Sequence, residues 1–279
     1  MNAGEVPVSR KGAARLSALT LLAFVCRVRG GGGLWVGAGV PSSRPGLVLA
    51  YKAAASACAF VRWREEGSES IVSSRGTSPD WAFALGSNIS DWLPPDSRKE
   101  LAVVLRGDRQ MPSPEWIAWI QCLINTTGLH ATLVVQVKRD EARAAHLAAL
   151  LGADVLAWNH EDHAAQEDAV RSLYSRCRLV VGDRLHGLIV AATEGAVPLG
   201  WVESSKGKVG RHFHVVGLDW VGEHEGVPAA ALPIPTLEEL DRLAKQLAGA
   251  VQTARENLAE TSNGIRQTLP ANTRASSKI

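Results

Sequence analysis

Past residue 100 the apolar positions fall into two alternating rhythms. The runs "LAVVL" (101–105), "ATLVVQV" (131–137), "ADVLAW" (153–158), "RLVVG" (178–182) and "AVPLGWV" (196–202) have the length and β-branched content of buried strands. Between them lie helical stretches: "SPEWIAWIQCLINTTG", "DEARAAHLAALLG", "EDHAAQEDAVRSLYSRC" and the short "HGLIVAATEG". In the first, Ser113 stands as N-cap, Pro114 at the first helical position and Gly128 past the end. A last amphipathic helix begins at Thr236. The polar tail that follows, 266–279, is expected to be disordered. Strand-helix alternation implies parallel pairing and right-handed crossovers, hence a doubly wound, Rossmann-like sheet over 96–265. In the usual strand order the first and fourth strands are neighbours where the winding reverses. A ligand is expected there, beyond their carboxyl ends.

The first hundred residues are less regular. "RKGAARLSALTLLAFVC" (10–26) imitates a targeting signal but has no small-x-small cleavage pattern and is too short to span a bilayer. It reads as an amphipathic helix feeding the glycine-flanked strand "GLWVGAGV" (33–40). "GLVLAYKAAASACAFVRWREEGSE" (46–69) reads as one helix that turns charged, and "WLPPDSRKE" (92–100) as the linker between domains. The segment 1–95 is thus expected to form a partial N-terminal α/β domain, short of a full one.

Composition changes this picture little. An apolar fraction of 46% and a charged fraction of 21% describe an ordinary globular chain. A net charge of +2 gives no overall field for nucleic acid or an anionic membrane. Cys26, Cys58, Cys122 and Cys177 are scattered, which fits a reducing cytoplasm better than a disulfide or zinc framework. No clustered carboxylates suggest a metal, and "GAG" (37–39) is part of no full dinucleotide motif.

The chemistry-bearing residues gather after the fourth strand, in "GDRLHG" (182–187). A helix opening there presents unpaired amides. Arg184 adds a planar cationic fork and His186 a proton-exchanging group. Spacing alone equally allows Arg184 to pair with Asp183 and His186 to cap its own turn. Arg106 follows the first strand and reaches the same crevice in the usual strand order. "ESSKGKVGRHFHVVGL" (203–218) reads as a flexible cationic loop after the fifth strand, either an anion clamp or a solvated basic loop. Asp80, in "SPDWAF", either approaches a cleft between domains or caps a turn.

The stretch from Leu179 to Leu218 resembles the C-terminal signature of the polysaccharide pyruvyl transferase family. "LWVGAGVPSSR", "VRWREEGS", "SPDWAF" and "VVLRG" are similar, in order, to its upstream elements. The resemblance implies a GT-B-like fold and transfer of pyruvate from phosphoenolpyruvate onto two hydroxyls of a hexose, closing a cyclic ketal on a polysaccharide or lipid-linked glycan. It implies that Arg106, Arg184, Leu185 and Lys208 bind phosphoenolpyruvate as co-substrate, with no other cofactor and no metal. His186, Arg184 and Asp80 become the catalytic candidates. The implied location is the cytoplasm, with peripheral association at the inner face of a membrane. Two other readings stand beside it: a GT-B-type glycosyltransferase using a sugar nucleotide, and a truncated, non-catalytic homologue.

Overall fold

The computed structural model describes residues 4–158, 162–202 and 207–268. It divides into two compact units, 1–81 with 254–279, and 82–253.

The first unit is built on a three-stranded parallel sheet of β1 (Gly4–Glu5), β2 (Gly33–Gly39) and β3 (Cys58–Trp63), in that spatial order. Helix α1 (Arg10–Val28) is capped by Ser9, whose side chain accepts from the Gly12 amide at 3.0 Å. Helices α2 (Val48–Ala57) and α3 (Glu66–Ile71) follow β2 and β3. Trp35 and Trp63 meet edge to face at 5.0 Å and form the core with Tyr51, Ala54 and Val61. The expected single helix over 46–69 is therefore three elements. No glycine or proline marks the break between Ala57 and Cys58, so periodicity carries no stop signal there. Aromatic and β-branched residues in "CAFVRW" instead pair with β2 and bury Val61 and Trp63.

The second unit carries five parallel strands: β4 (Glu100–Val104), β5 (His130–Val134), β6 (Asp154–Leu156), β7 (Cys177–Gly182) and β8 (Val197–Gly200). Their spatial order is β6-β5-β4-β7-β8, so the winding reverses between β4 and β7. The connecting helices are α4 (Pro114–Thr127), α5 (Glu141–Leu151), α6 (His163–Tyr174) and α7 (Leu185–Thr193). After β8 come α8 (Lys208–His214) and α9 (Leu237–Thr268). The punctuation of α4 is as expected: Ser113 accepts from the Trp116 amide at 3.4 Å, and Gly128 ends the helix at φ 65°. Trp116, Leu101, Ile120, Leu133 and Leu147 are fully buried among the strands and helices.

Two boundaries differ from those read along the chain. The units divide at Trp81 and Ala82, and "WLPPDSRKE" belongs to the second unit. Arg98 decides this. It is 2% exposed and donates to the carbonyls of Glu194 at 3.0 Å and Cys177 at 3.1 Å, which stitches the segment onto β7 and the end of α7. Helix α9 runs to Thr268, into the segment expected to be tail, and its last turns from Ala254 belong to the first unit. The rest of the expected tail lies outside the described residues.

Candidate functional site

Strands β4 and β7 end side by side, with Val104 paired to Gly182. Glycine is required there, because a Cβ on Gly182 would stand 2.3 Å from the Val104 carbonyl oxygen. The loops leaving both strands therefore start in contact. Asp183 holds them together: Oδ1 accepts from the Arg106 amide at 2.7 Å and Oδ2 faces Arg109 Nε at 3.4 Å. A second carboxylate comes from the turn before α5. Asp140, 1% exposed, accepts from the Gly107 amide at 2.7 Å and from Arg184 Nη2 at 2.6 Å. Arg143, on α5, donates to the carbonyls of Arg106 at 2.8 Å and Gln110 at 3.0 Å, and to that of Arg109. Arg106 itself forks onto Asp108 at 2.9 and 2.7 Å in a partly exposed pair, with Arg139 at 3.6 Å from the same carboxylate.

Four arginines thus share three aspartates at the sheet's switch point, and Arg143 adds a fifth guanidinium held by backbone carbonyls, leaving an excess of positive charge. Burial pushes the Asp183 carboxyl up, against the Arg106 amide and the charges of Arg109, Arg184 and Arg106 that pull it down. The hydrogen bond from Arg106 holds Asp108 well below the usual carboxylate range, and the same bond raises Arg106. Arg109 Nη1, Arg184 Nε and Trp201 Nε1 are buried with no hydrogen-bond partner. Arg109 and Trp201 line one small cleft of about 60 Å³ with Leu105, Arg143 and Asp183. Its unspent groups are all donors, so it is complementary to an acceptor, and the net charge makes that acceptor an anion.

His186 stands at the same turn. Every other residue of α7 is buried, and Leu185, its first residue, is 8% exposed, whereas His186 is exposed. Gly187 explains the fit: a Cβ would meet Val104 Cγ1 at 3.1 Å and Gln136 Oε1 at 3.0 Å, so α7 packs hard against β4. A helix sunk into the core this deeply presents one polar side chain to solvent, two residues after Arg184 in the chain.

Lys208 and Asp80 have other surroundings. Lys208 opens α8, so residues 208–214 of the expected flexible loop are helical. Residues 203–206, with Lys206, lie outside the described residues. The α8 N-terminus is already occupied by Glu225, 5% exposed, which accepts from the amides of Gly207, Val209 and Gly210 at 3.1, 3.1 and 2.8 Å. An internal carboxylate fills the position an external anion would take. Asp80 belongs to the first unit and pairs with Arg64 at 3.1 Å, their side chains 10% and 8% exposed.

The family model for polysaccharide pyruvyl transferase matches residues 12–197, which contain β4, β7, Arg106, Arg184 and His186. The chain belongs to the polysaccharide pyruvyl transferase family. No curated protein matches it by sequence. Among solved structures it is similar to a Thermobaculum terrenum O-GlcNAc transferase mutant at 13% identity and TM-score 0.45, covering 90% of this chain and 55% of that one. It is similar to the glycotransferase of kitacinnamycin at 15% identity and TM-score 0.41, covering 94% and 63%. For a Rickettsia africae glycosyltransferase the values are 10% and 0.42, with 96% and 83% covered. The chain thus spans 55% and 63% of the first two of these proteins.

In this pyruvyl transferase family member the structure brings Arg106, Arg184, Leu185 and His186 together. Asp140, Arg109, Arg143 and Trp201 were not found from the sequence. A signal existed for three of them: "LRGDRQ" and "KRDEAR" crowd charge just past the first and second strands, at the carboxyl edge that holds Arg184. Trp201 had none, since an indole beside an apolar strand reads as packing.

Proposed function

We propose that the protein moves pyruvate from phosphoenolpyruvate onto two hydroxyls of a hexose in a polysaccharide or lipid-linked glycan, closing a cyclic ketal. The observation that carries this reading is the surplus of buried guanidinium donors over carboxylates at the β4–β7 edge, where α7 opens with the exposed His186 in its first turn. Phosphoenolpyruvate carries a carboxylate and a phosphate on one small carbon frame, and two arginine forks are the side chains suited to hold both. Arg184 and Arg106 take these groups. Asp108 is the counter-ion that yields, because its pair with Arg106 is partly exposed and readily exchanged. Leu185 fixes the turn by its burial, and Lys208, past the end of the family match at residue 197, is a further anion contact only as the resemblance of residues 179–218 implies.

His186 serves as acid and base. Its proton goes to the methylene carbon of the donor, leaving an oxocarbenium-like centre stabilised by the adjoining carboxylate. One sugar hydroxyl attacks the phosphate-bearing carbon of that centre and gives up its proton to the imidazole. The phosphate then leaves with the C–O electron pair, and a neighbouring hydroxyl attacks the same carbon and passes its proton to the departing phosphate. The sum is phosphoenolpyruvate plus a diol giving a ketal plus inorganic phosphate, with no change of oxidation state. The test is acceptor-dependent phosphate release from phosphoenolpyruvate across a panel of hexose glycans. Arg184→Ala is expected to lower it by about 10³-fold or more, the scale of losing a charged clamp in a transition state. Release unaffected by Arg184→Ala overturns the site. Saturable binding of a sugar nucleotide without binding of phosphoenolpyruvate overturns the activity.

A further inference from the structure

Helix α1 is apolar on the wrong side as well as the right one. Ala13, Leu16 and Ala23 face the core of the first unit. On the outside, Leu21, Leu22, Phe24, Val25 and Val28 are 65%, 59%, 60%, 38% and 72% exposed. Residues 21, 24, 25 and 28 recur at helical spacing and so form one continuous stripe. Single exposed leucines are ordinary, but a contiguous patch of this kind marks a surface that meets something.

Charge says what it meets. From Val6 to Arg64 the chain has no aspartate or glutamate, and it carries nine lysines and arginines. The remaining residues hold 21 of the 30 cations against all 28 acids, so the modest net charge hides a strong division. Arg10, Lys11, Arg15, Arg27 and Arg29, in and just past α1, are exposed. Among the described residues no helix is long and apolar enough to cross a membrane, so contact with lipid would be lateral. A second copy of the chain is a poor occupant, because a symmetric contact would set the α1 cations against one another, and Glu5, beside Lys11 and Arg15, is too little negative charge to balance them.

We infer that α1 docks the first unit on an anionic lipid bilayer, with Leu21, Phe24, Val25 and Val28 in the interface and the flanking cations among the headgroups. The inference does not rest on the donor chemistry. It is tested by flotation of the full chain with vesicles of phosphatidylcholine alone or of an equimolar mixture with phosphatidylglycerol. The chain is expected to float with the mixed vesicles, and about tenfold more weakly with the neutral ones or in high salt. The triple variant Leu21→Ser, Phe24→Ser, Val28→Ser and the pair Arg10→Glu, Lys11→Glu should each weaken binding by about tenfold or more. Both should keep the wild-type circular dichroism spectrum, since these side chains are exposed. Absence of flotation, or equal flotation with both vesicle types, overturns the proposal. So does a concentration-dependent dimer, seen by sedimentation velocity without lipid and abolished by the triple variant.

Discussion

Each unit ends a parallel strand in an arginine, Arg64 after β3 and Arg106 after β4, and the two are used in opposite ways. Arg64 meets Asp80 in a pair that is nearly sealed from solvent. Arg106 sits among four more arginines and too few aspartates, and its own pair with Asp108 is open, at 30% and 39% side-chain exposure. A matched, closed pair joins a strand end to the segment beyond it. An unmatched, open cluster keeps charge and donors for something outside the protein. What separates a staple from a site is the balance of charges and the openness of the pair, not the presence of arginine at a strand end.

That contrast can be broken experimentally, and the largest effect is expected at His186. Replacing it with alanine should lower acceptor-dependent phosphate release by about 10²- to 10⁴-fold, the usual range for an acid/base group. The same change should leave the urea midpoint almost untouched, because the side chain is exposed on an otherwise buried helix. A large loss of stability would mean that His186 is structural and that the site has been misread.

The next effect is one of stability and bears directly on the two arginines. Asp80→Ala strands Arg64 without a partner in a nearly closed environment, and about 3–5 kcal/mol of unfolding free energy is expected to be lost. Asp108→Ala, the matching change at Arg106, should shift the denaturation curve imperceptibly, because solvent already screens that pair. Equal losses in chemical denaturation would erase the distinction between the units.

The smallest effect is a pH dependence. Burial raises the folded-state pKa of Asp183 above its unfolded value, so its contribution to stability is complete below the ordinary carboxylate pKa and is lost as pH rises through the raised value. Asp183→Asn keeps an acceptor for the Arg106 amide and removes the titration. Relative to wild type, the variant should therefore gain stability as pH rises from the ordinary carboxylate pKa through the raised one, read from urea midpoints. A relative loss over that interval would mean that the arginines, not burial, govern this carboxyl.

Much of the second unit was legible along the chain. Its strands, the Ser113 and Gly128 punctuation of α4, and the turn carrying Arg184 and His186 follow from period, cap chemistry and glycine placement, all of them local. The partners of those arginines were not. Asp183 holds the Arg106 amide across 77 residues of sequence, and Asp140 holds Arg184 across 44. No local pattern records pairings at such separations. The break of 46–69 into helix, strand and helix was equally hidden, because pairing with β2, not any residue at the junction, ends the helix.

The α8 segment shows the same limit from the other side. Its lysines and glycines read as an open cationic loop, yet Glu225, which follows in the chain, folds back onto its first amides. By itself, then, the sequence determined the α/β order, the family and the turn at which the charge gathers. The tertiary structure alone decided which charges are neutralised, which donors stay unspent, and that His186 is the exposed residue of a buried helix. The reason is physical: propensity and period act over a few residues, whereas desolvation and charge pairing depend on what the fold brings within about 3 Å.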